Sequence, residues 1–131
     1  MRRRKHLPPH LASSAAGFAE TLRWVEGAKD SIVEALPRAR APGRSLADAL
    51  HEFEESLRQA SEGMGAWRRP EVEADWRACM DGVERALTLA ERLRLQAPDM
   101  AFDQLAFTIQ DLIAPLDPFQ AAAERFQALR R

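Results

Sequence analysis

The chain has 131 residues, a length typical of a single domain and sufficient to bury a hydrophobic core. Hydrophobic residues make up 46% and charged residues 30%, a balance that excludes a largely disordered chain. The net charge of −1 excludes a general attraction to nucleic acid or anionic membranes, and a single cysteine excludes an intrachain disulfide. No apolar run approaches the roughly 20 residues that span a bilayer, so we expect one cytoplasmic domain without a membrane segment.

Residues 1–12 are predicted to form a flexible basic arm ahead of a single helical domain that spans residues 13–131. The segment Arg2–Lys5 is wholly basic, and the Pro8-Pro9 pair interrupts any regular pattern. Such an arm could contact phosphates, so a nucleic-acid accessory factor is one hypothesis. The other candidate phosphate ligands are Arg38, Arg40, Arg44, Arg68 and Arg69. The acidic face of the second helix and the lack of a recognition-helix motif favour a solubilising or partner-docking arm instead.

The first helix is expected to begin near Ser13 or Ser14, either of which can cap its free amides, and to end at Pro37. A basic connector over residues 37–44 follows. The apolar stripe of this helix recurs at steps of three and four, and consists of Ala15, Phe18, Leu22, Val25, Ile32 and Leu36.

Lys29 falls within this stripe, where an unpaired ammonium group would be costly. One interpretation is a lysine with a shifted pKa that lines a ligand pocket. The interpretation we favour is a side chain whose stem packs on apolar neighbours while its head reaches solvent or pairs with Glu26.

The second helix is expected to follow Ser45, which with Asp48 resembles a capping box. Its core-facing stripe is Leu46, Leu50, Phe53, Leu57 and Ala60. Its opposite face is expected to be solvated and carries Asp48, Glu52, Glu54, Glu55 and Glu62. Gly63 is expected to end the helix, and a loop over residues 63–69 should fold Met64 and Trp67 over the end of the bundle.

Asp48, His51 and Glu55 have a spacing that can place metal ligands on one face of this helix. A metal-binding bundle needs such ligands from several helices pointing inward, and His51 stands about 100° from the apolar stripe. We therefore favour a solvated face, and we expect no metal and no other cofactor.

The longest helical pattern runs from Pro70 to Ala97. Its predicted core stripe is Val72, Trp76, Cys79, Val83, Ala86, Ala90, Leu93 and Ala97. A second file of small residues would let a neighbouring helix approach closely, and consists of Ala74, Ala78, Gly82, Ala86 and Ala90. The sequence leaves open whether that neighbour is the fourth helix or another chain. Cys79 lies in the apolar arc, so we expect a buried, inert thiol.

Pro98 should end the third helix, and Asp99 should cap a fourth whose stripe is Phe102, Leu105, Ile109, Leu112 and Leu116. Pro115 lies inside this pattern while the apolar phase continues to Phe126. A break is therefore expected, with Asp117 as a cap and Pro118 in the first turn of the final segment. The predicted fold is an all-α, up-down four-helix bundle whose fourth helix is broken by proline.

Apolar residues off the main stripes predict a contact surface on the third and fourth helices. Phe107 belongs to a second apolar line on the fourth helix, and a four-helix bundle has no central helix that would bury such a line. We expect a homodimer or a helical protein partner at this surface. The predicted interface residues are Ala78, Gly82, Leu89, Met100 and Phe107.

No catalytic triad, glycine-rich phosphate loop or zinc-type cysteine pair is found in the sequence, so we expect no enzymatic activity. The leading hypothesis is a non-enzymatic helical protein-protein interaction module. The alternative is a bundle that binds a small apolar or acidic ligand between its helices, with a pocket lined by Trp24, Lys29, Trp76 and Phe102.

Overall fold

The computed structural model describes residues 6–35, 46–96 and 102–130, apart from the side chains of residues 102 and 105. The described residues form helices and short turns, with no strand. The helices are α1 (Pro9–Ala35), α2 (Leu46–Glu62), α3 (Glu73–Gln96), α4 (Phe102–Ile113) and α5 (Pro118–Ala128). They pack side by side, and α4 with α5 forms the divided fourth member, so the predicted all-α bundle is confirmed. None of the described helices is long and apolar enough to cross a bilayer.

Helix α1 begins at Pro9, earlier than the predicted start at Ser13 or Ser14. Proline suits a first helical turn because it lacks the amide that would be left unpaired there. Leu11 is buried, and the buried Ser14 hydroxyl donates to the carbonyl of Trp67 at 2.9 Å, so neither serine acts as the expected cap. Residues 9–12 are therefore helical rather than part of a flexible arm, and Arg2–Lys5 lie outside the described residues.

The buried face of α1 differs in phase from the predicted stripe at several positions. It repeats strictly at steps of three and four, and consists of Leu11, Ser14, Phe18, Thr21, Val25, Ala28, Ile32 and Ala35. This stripe passes through Ala28 and not through Lys29, which corrects the prediction that Lys29 occupies the core face. The Lys29 side chain is half-buried, with Nζ 3.7 Å from Glu26 Oε1, as the favoured interpretation expected.

Helix α2 buries Leu50, Phe53, Leu57 and Ala60 as predicted, but it also buries Glu54. The side chain of Glu54 is only 2% exposed, with Oε2 3.2 Å from Arg94 Nη1 on α3. The prediction of a solvated Glu54 was wrong because this position lies four residues after Leu50 and three before Leu57, on the core side of the helix. The predicted cap Ser45 and the connector at 37–44 lie outside the described residues.

The Met64–Trp67 segment forms a 3-10 turn whose two large side chains are completely buried, as the sequence predicted. Trp67 packs edge-on against Phe18, with ring centroids 4.9 Å apart, and lies 6.1 Å from Phe126. Phe18 also stacks on Phe119 and Phe126. We call Phe18, Trp67, Phe119 and Phe126 the aromatic cluster; it joins the turn to both α1 and α5.

The small-residue file of α3 meets its own chain. At Gly82 an added Cβ atom would overlap the carbonyl oxygen of Pro115, so only glycine permits this approach. Ala86 and Ala90 are also buried, whereas Ala74 and Ala78 are exposed. The close neighbour that the sequence left open is therefore the break between α4 and α5.

The break itself is the 3-10 segment Ala114–Leu116, followed by Pro118 in the first turn of α5. Both features match the prediction. The Asp117 side chain makes no capping hydrogen bond, which corrects its predicted function; its backbone amide donates to the Ala114 carbonyl at 3.1 Å. Pro98 and Asp99 lie outside the described residues.

Candidate functional site

The main candidate site is an open apolar groove between α1 and α4, with a volume of about 180 Å³. Its lining residues are Val33, Ala106, Phe107, Ile109 and Gln110, and we call it the α1–α4 groove. The Phe107 side chain is 76% exposed and Val33 is 47% exposed. Large apolar side chains left in solvent beside one another mark a surface that gains free energy when it is covered.

The sequence explains why these two side chains stay outside the core. Ile32 and Val33 are adjacent on α1, and a helix turns about 100° per residue, so only Ile32 faces the core. Among the described side chains of α4, Ile109 and Leu112 are buried, and Phe107 points away from that line. The groove is thus built from residues adjacent to the core stripes of two helices.

Three exposed carboxylates, which we call the acidic rim, lie one helical turn from the two exposed apolar side chains of the groove. Asp103 and Asp111 lie one turn before and one turn after Phe107 on the same face of α4, and both are exposed. Asp30 lies one turn before Val33 on α1 and is also exposed. Helix α4 contains no lysine or arginine. Among the described residues, no cation forms an ion pair with any of these three carboxylates.

The structure does not bring the predicted interface residues together into one surface. Ala78 is exposed on α3, Leu89 is half-buried and packs against the core, and Phe107 is exposed on α4. Gly82 is covered by Pro115 within the chain, which corrects its assignment to an interface with another molecule. Met100 lies outside the described residues. Phe107 is therefore the predicted residue that the candidate site retains.

The residues of the predicted ligand pocket are also dispersed. Trp24 is 43% exposed and lines two shallow surface grooves with Glu20, and neither lining includes Lys29 or Trp76. The indole of Trp76 donates to the Met64 carbonyl at 2.7 Å and lies under the guanidinium of Arg68. The side chain of Phe102 lies outside the described residues.

The thiol of Cys79 is buried within the bundle, as predicted. Burial raises its pKa to about 12, and the nearby Asp75 carboxylate adds to that shift. The thiolate is the nucleophilic form of cysteine, and it is therefore scarce at neutral pH.

Predicted metal ligands on α2 are exposed, and Glu55 is held by Arg58 at 2.8 Å. Within the described parts of the chain, no three histidine, cysteine or acidic side chains gather in a way that could hold a metal ion. His10 instead contacts Glu71, with Nε2 2.6 Å from Oε2, and this contact lowers the pKa of the Glu71 carboxyl.

Two arginines that the sequence offered as phosphate ligands make intramolecular contacts. Arg68 donates two hydrogen bonds to Glu73, at 2.7 and 3.0 Å, and Arg69 donates to the Arg68 carbonyl. The Arg68 and Arg77 guanidinium groups hold the pKa of Glu73 at about 2. The connector arginines lie outside the described residues.

No protein-family model, curated protein sequence or solved structure matches the chain. Val33 was not among the predicted site residues, because it lies off the predicted apolar stripe of the first helix. The adjacent pair Ile32-Val33 was the available signal, since one of two neighbouring apolar residues on an amphipathic helix must face outward.

Proposed function

We propose that the protein is a non-enzymatic, cytoplasmic interaction module that binds a helix of another chain in the α1–α4 groove. The observation that supports this proposal is the exposure of Phe107 beside Val33 in one apolar groove. The core formed by the described residues includes neither side chain. A partner that covers the groove would remove both side chains from water, which supports the proposal.

The free energy gained by burying Phe107 is large enough to contribute to recognition. Burying an exposed phenylalanine side chain contributes about 1.5–3 kcal/mol, and aromatic anchors commonly dominate binding at interfaces. Two parallel or antiparallel helices leave a shallow depression between them, and a third helix can lie along it with its apolar side inward. The α1–α4 groove lies between two helices and is lined by apolar side chains from both, Val33 from α1 and Phe107 with Ile109 from α4.

Site-specific photocrosslinking in cells tests the proposal. A benzophenone amino acid replaces Phe107 in one variant and Ala121, an exposed residue of α5, in the control. We expect discrete covalent adducts from position 107 and none of these adducts from position 121. The same adducts from both positions, or none from position 107, would contradict an interaction site at the groove. An adduct of twice the 14.7 kDa chain mass would identify a second copy as the partner.

A further inference from the structure

The charges around the α1–α4 groove identify the class of partner, provided that the groove is the interaction site proposed above. We infer that its occupant is a basic amphipathic helix of a different protein. The apolar floor would hold the apolar side of that helix, and the acidic rim would hold its lysine and arginine side chains. Apolar burial and charge complementarity are thus both satisfied by one kind of segment.

The rim is acidic on both of the helices that form the groove. Asp103 and Asp111 bracket Phe107 on α4, and Asp30 precedes Val33 by one turn on α1. A helix bound at the groove would therefore meet Asp103 and Asp111 on either side of Phe107, and Asp30 near Val33.

The other charged groups on this part of α1 do not make the local charge beside the groove positive. Lys29 also lies one turn before Val33, and its ammonium group is 3.7 Å from the Glu26 carboxylate, which offsets its charge. Glu34 is exposed and follows Val33 directly. Since exposed ion pairs are individually weak, the selectivity comes from several carboxylates acting together, and salt should reduce it.

The same charges disfavour a second copy of this chain at the groove. A two-fold symmetric interface places one surface against itself. If two α4 helices met in antiparallel orientation at Phe107, Asp103 of each copy would face Asp111 of the other. Like charges would then meet twice without a described cation between them, which opposes binding. The acidic rim therefore favours a basic partner over a homodimer at this surface.

A binding titration with two designed peptides tests the inference on the full-length chain. One probe is a fluorescein-labelled leucine-lysine amphipathic helix of about five turns, and the other has glutamate in place of lysine. Fluorescence anisotropy at low and high salt reports the dissociation constants. We expect the lysine peptide to bind at least about tenfold more tightly than the glutamate peptide, with the difference shrinking as salt rises.

Three variants locate the binding. Phe107→Ser should weaken lysine-peptide binding by about tenfold or more, as expected for an aromatic anchor. The double variant Asp103→Asn, Asp111→Asn should weaken it by about fivefold and reduce its salt dependence. The matched control Glu84→Gln, Glu91→Gln removes two exposed carboxylates from α3 and should change affinity by less than about twofold. Circular dichroism melting curves verify that every variant remains folded.

The outcomes separate this inference from the proposed function. Equal binding of both peptides, with loss in Phe107→Ser, would retain the groove as a helix site and overturn the charge selectivity. Equal weakening by the two double variants would show attraction to the whole protein and would also overturn it. A dimer in sedimentation equilibrium that Phe107→Ser dissociates would make a second copy the occupant. Tighter peptide binding after Arg38, Arg40 and Arg44 are changed to glutamine would make this chain's own connector the occupant; either result overturns the inference.

Discussion

The aromatic cluster and the α1–α4 groove contain the same type of side chain in opposite environments. Trp67 is completely buried although it lies in a short 3-10 turn, whereas Phe107 is 76% exposed although it lies within a regular helix. Helix α1 contributes to both regions, through Phe18 in the first and Val33 in the second. The burial of an aromatic residue is thus decided by how many elements surround it, and not by the regularity of its own segment.

Polar contacts between segments hold the region of the aromatic cluster together. The Ser14 hydroxyl donates to the Trp67 carbonyl, and the Trp76 indole donates to the Met64 carbonyl. These bonds satisfy backbone oxygens of the irregular turn, which would otherwise be costly to bury. The groove has two helices and no third element among its described lining residues. This contrast predicts different consequences for mutations in the two regions.

Removing one aromatic side chain from each region should give the largest difference in the free energy of unfolding. Trp67→Ala would leave a cavity between α1, the turn and α5, and should lower the free energy of unfolding by about 3–5 kcal/mol. Phe107→Ala should change it by less than about 0.5 kcal/mol because the ring is exposed. Urea denaturation followed by circular dichroism measures both values. Similar losses in the two variants would show that Phe107 contributes to the core.

A second contrast compares two helical glycines. Gly82→Ala should destabilise the protein by about 1–3 kcal/mol, because the new methyl group would overlap the Pro115 carbonyl and push the α4–α5 break away from α3. Gly27→Ala is the matched control, since no atom lies within 4 Å of a Cβ atom added there. It should stabilise the protein by about 1 kcal/mol through helix propensity. Thermal denaturation monitored by circular dichroism provides the comparison.

The sign of the Gly82 effect is the decisive result of this comparison. Helix propensity alone would make both substitutions stabilising, because alanine is the better helix former at each position. An increase in stability in Gly82→Ala would therefore mean that α3 does not approach the break as closely as the structure shows. That result would also reopen the question of whether the small-residue file meets another chain.

Much of the bundle was predictable because periodicity encodes which face of a helix is buried. The alternation through Val83, Ala86 and Ala90 gave the buried face of α3, and Pro115 gave the break in the fourth helix. The burial of Trp67 was predictable too, since a tryptophan between two amphipathic helices has apolar surface that the bundle can cover.

The errors have a common physical origin in the width of a helix face. Lys29 and Ala28 are adjacent, and the stripe was predicted to pass through the larger side chain, although Ala28 is the residue that faces the core. Glu54 was assigned to solvent on its charge, although its position places it beside Leu50 and Leu57. Its carboxylate is buried because Arg94 on another helix provides a counter-charge, and that partner was not visible from α2 alone.

The candidate site was less predictable than the fold because a groove requires two helices in a known orientation. Phe107 could be identified from its own helix as an apolar residue off the core stripe. Its pairing with Val33 depends on how α1 crosses α4, which periodicity does not specify. Asp30 and Asp103 lie on different helices, so their contribution to one acidic rim could not be predicted before that pairing was known.

The smallest expected effect concerns Glu73, the first residue of α3. Its carboxylate accepts hydrogen bonds from Arg68, which follows Trp67 of the aromatic cluster. Its pKa is about 2 in the folded protein against an ordinary value of 4.5, because Arg68 and Arg77 hydrogen-bond to the charged form. A lowered folded-state pKa stabilises the protein above about pH 4.5, and this stabilisation is lost as the pH falls toward 2. Glu73→Gln should therefore melt below wild type at pH 7, with a difference that shrinks progressively below pH 4.5. Thermal melts from pH 7 to 2 measure this difference, with Glu84→Gln on the same helix as the charge-matched control. A difference that stays constant across that range would mean that Glu73 contributes through packing and not through its charge. Ion pairs would then add little to the greater stability of the region around the aromatic cluster.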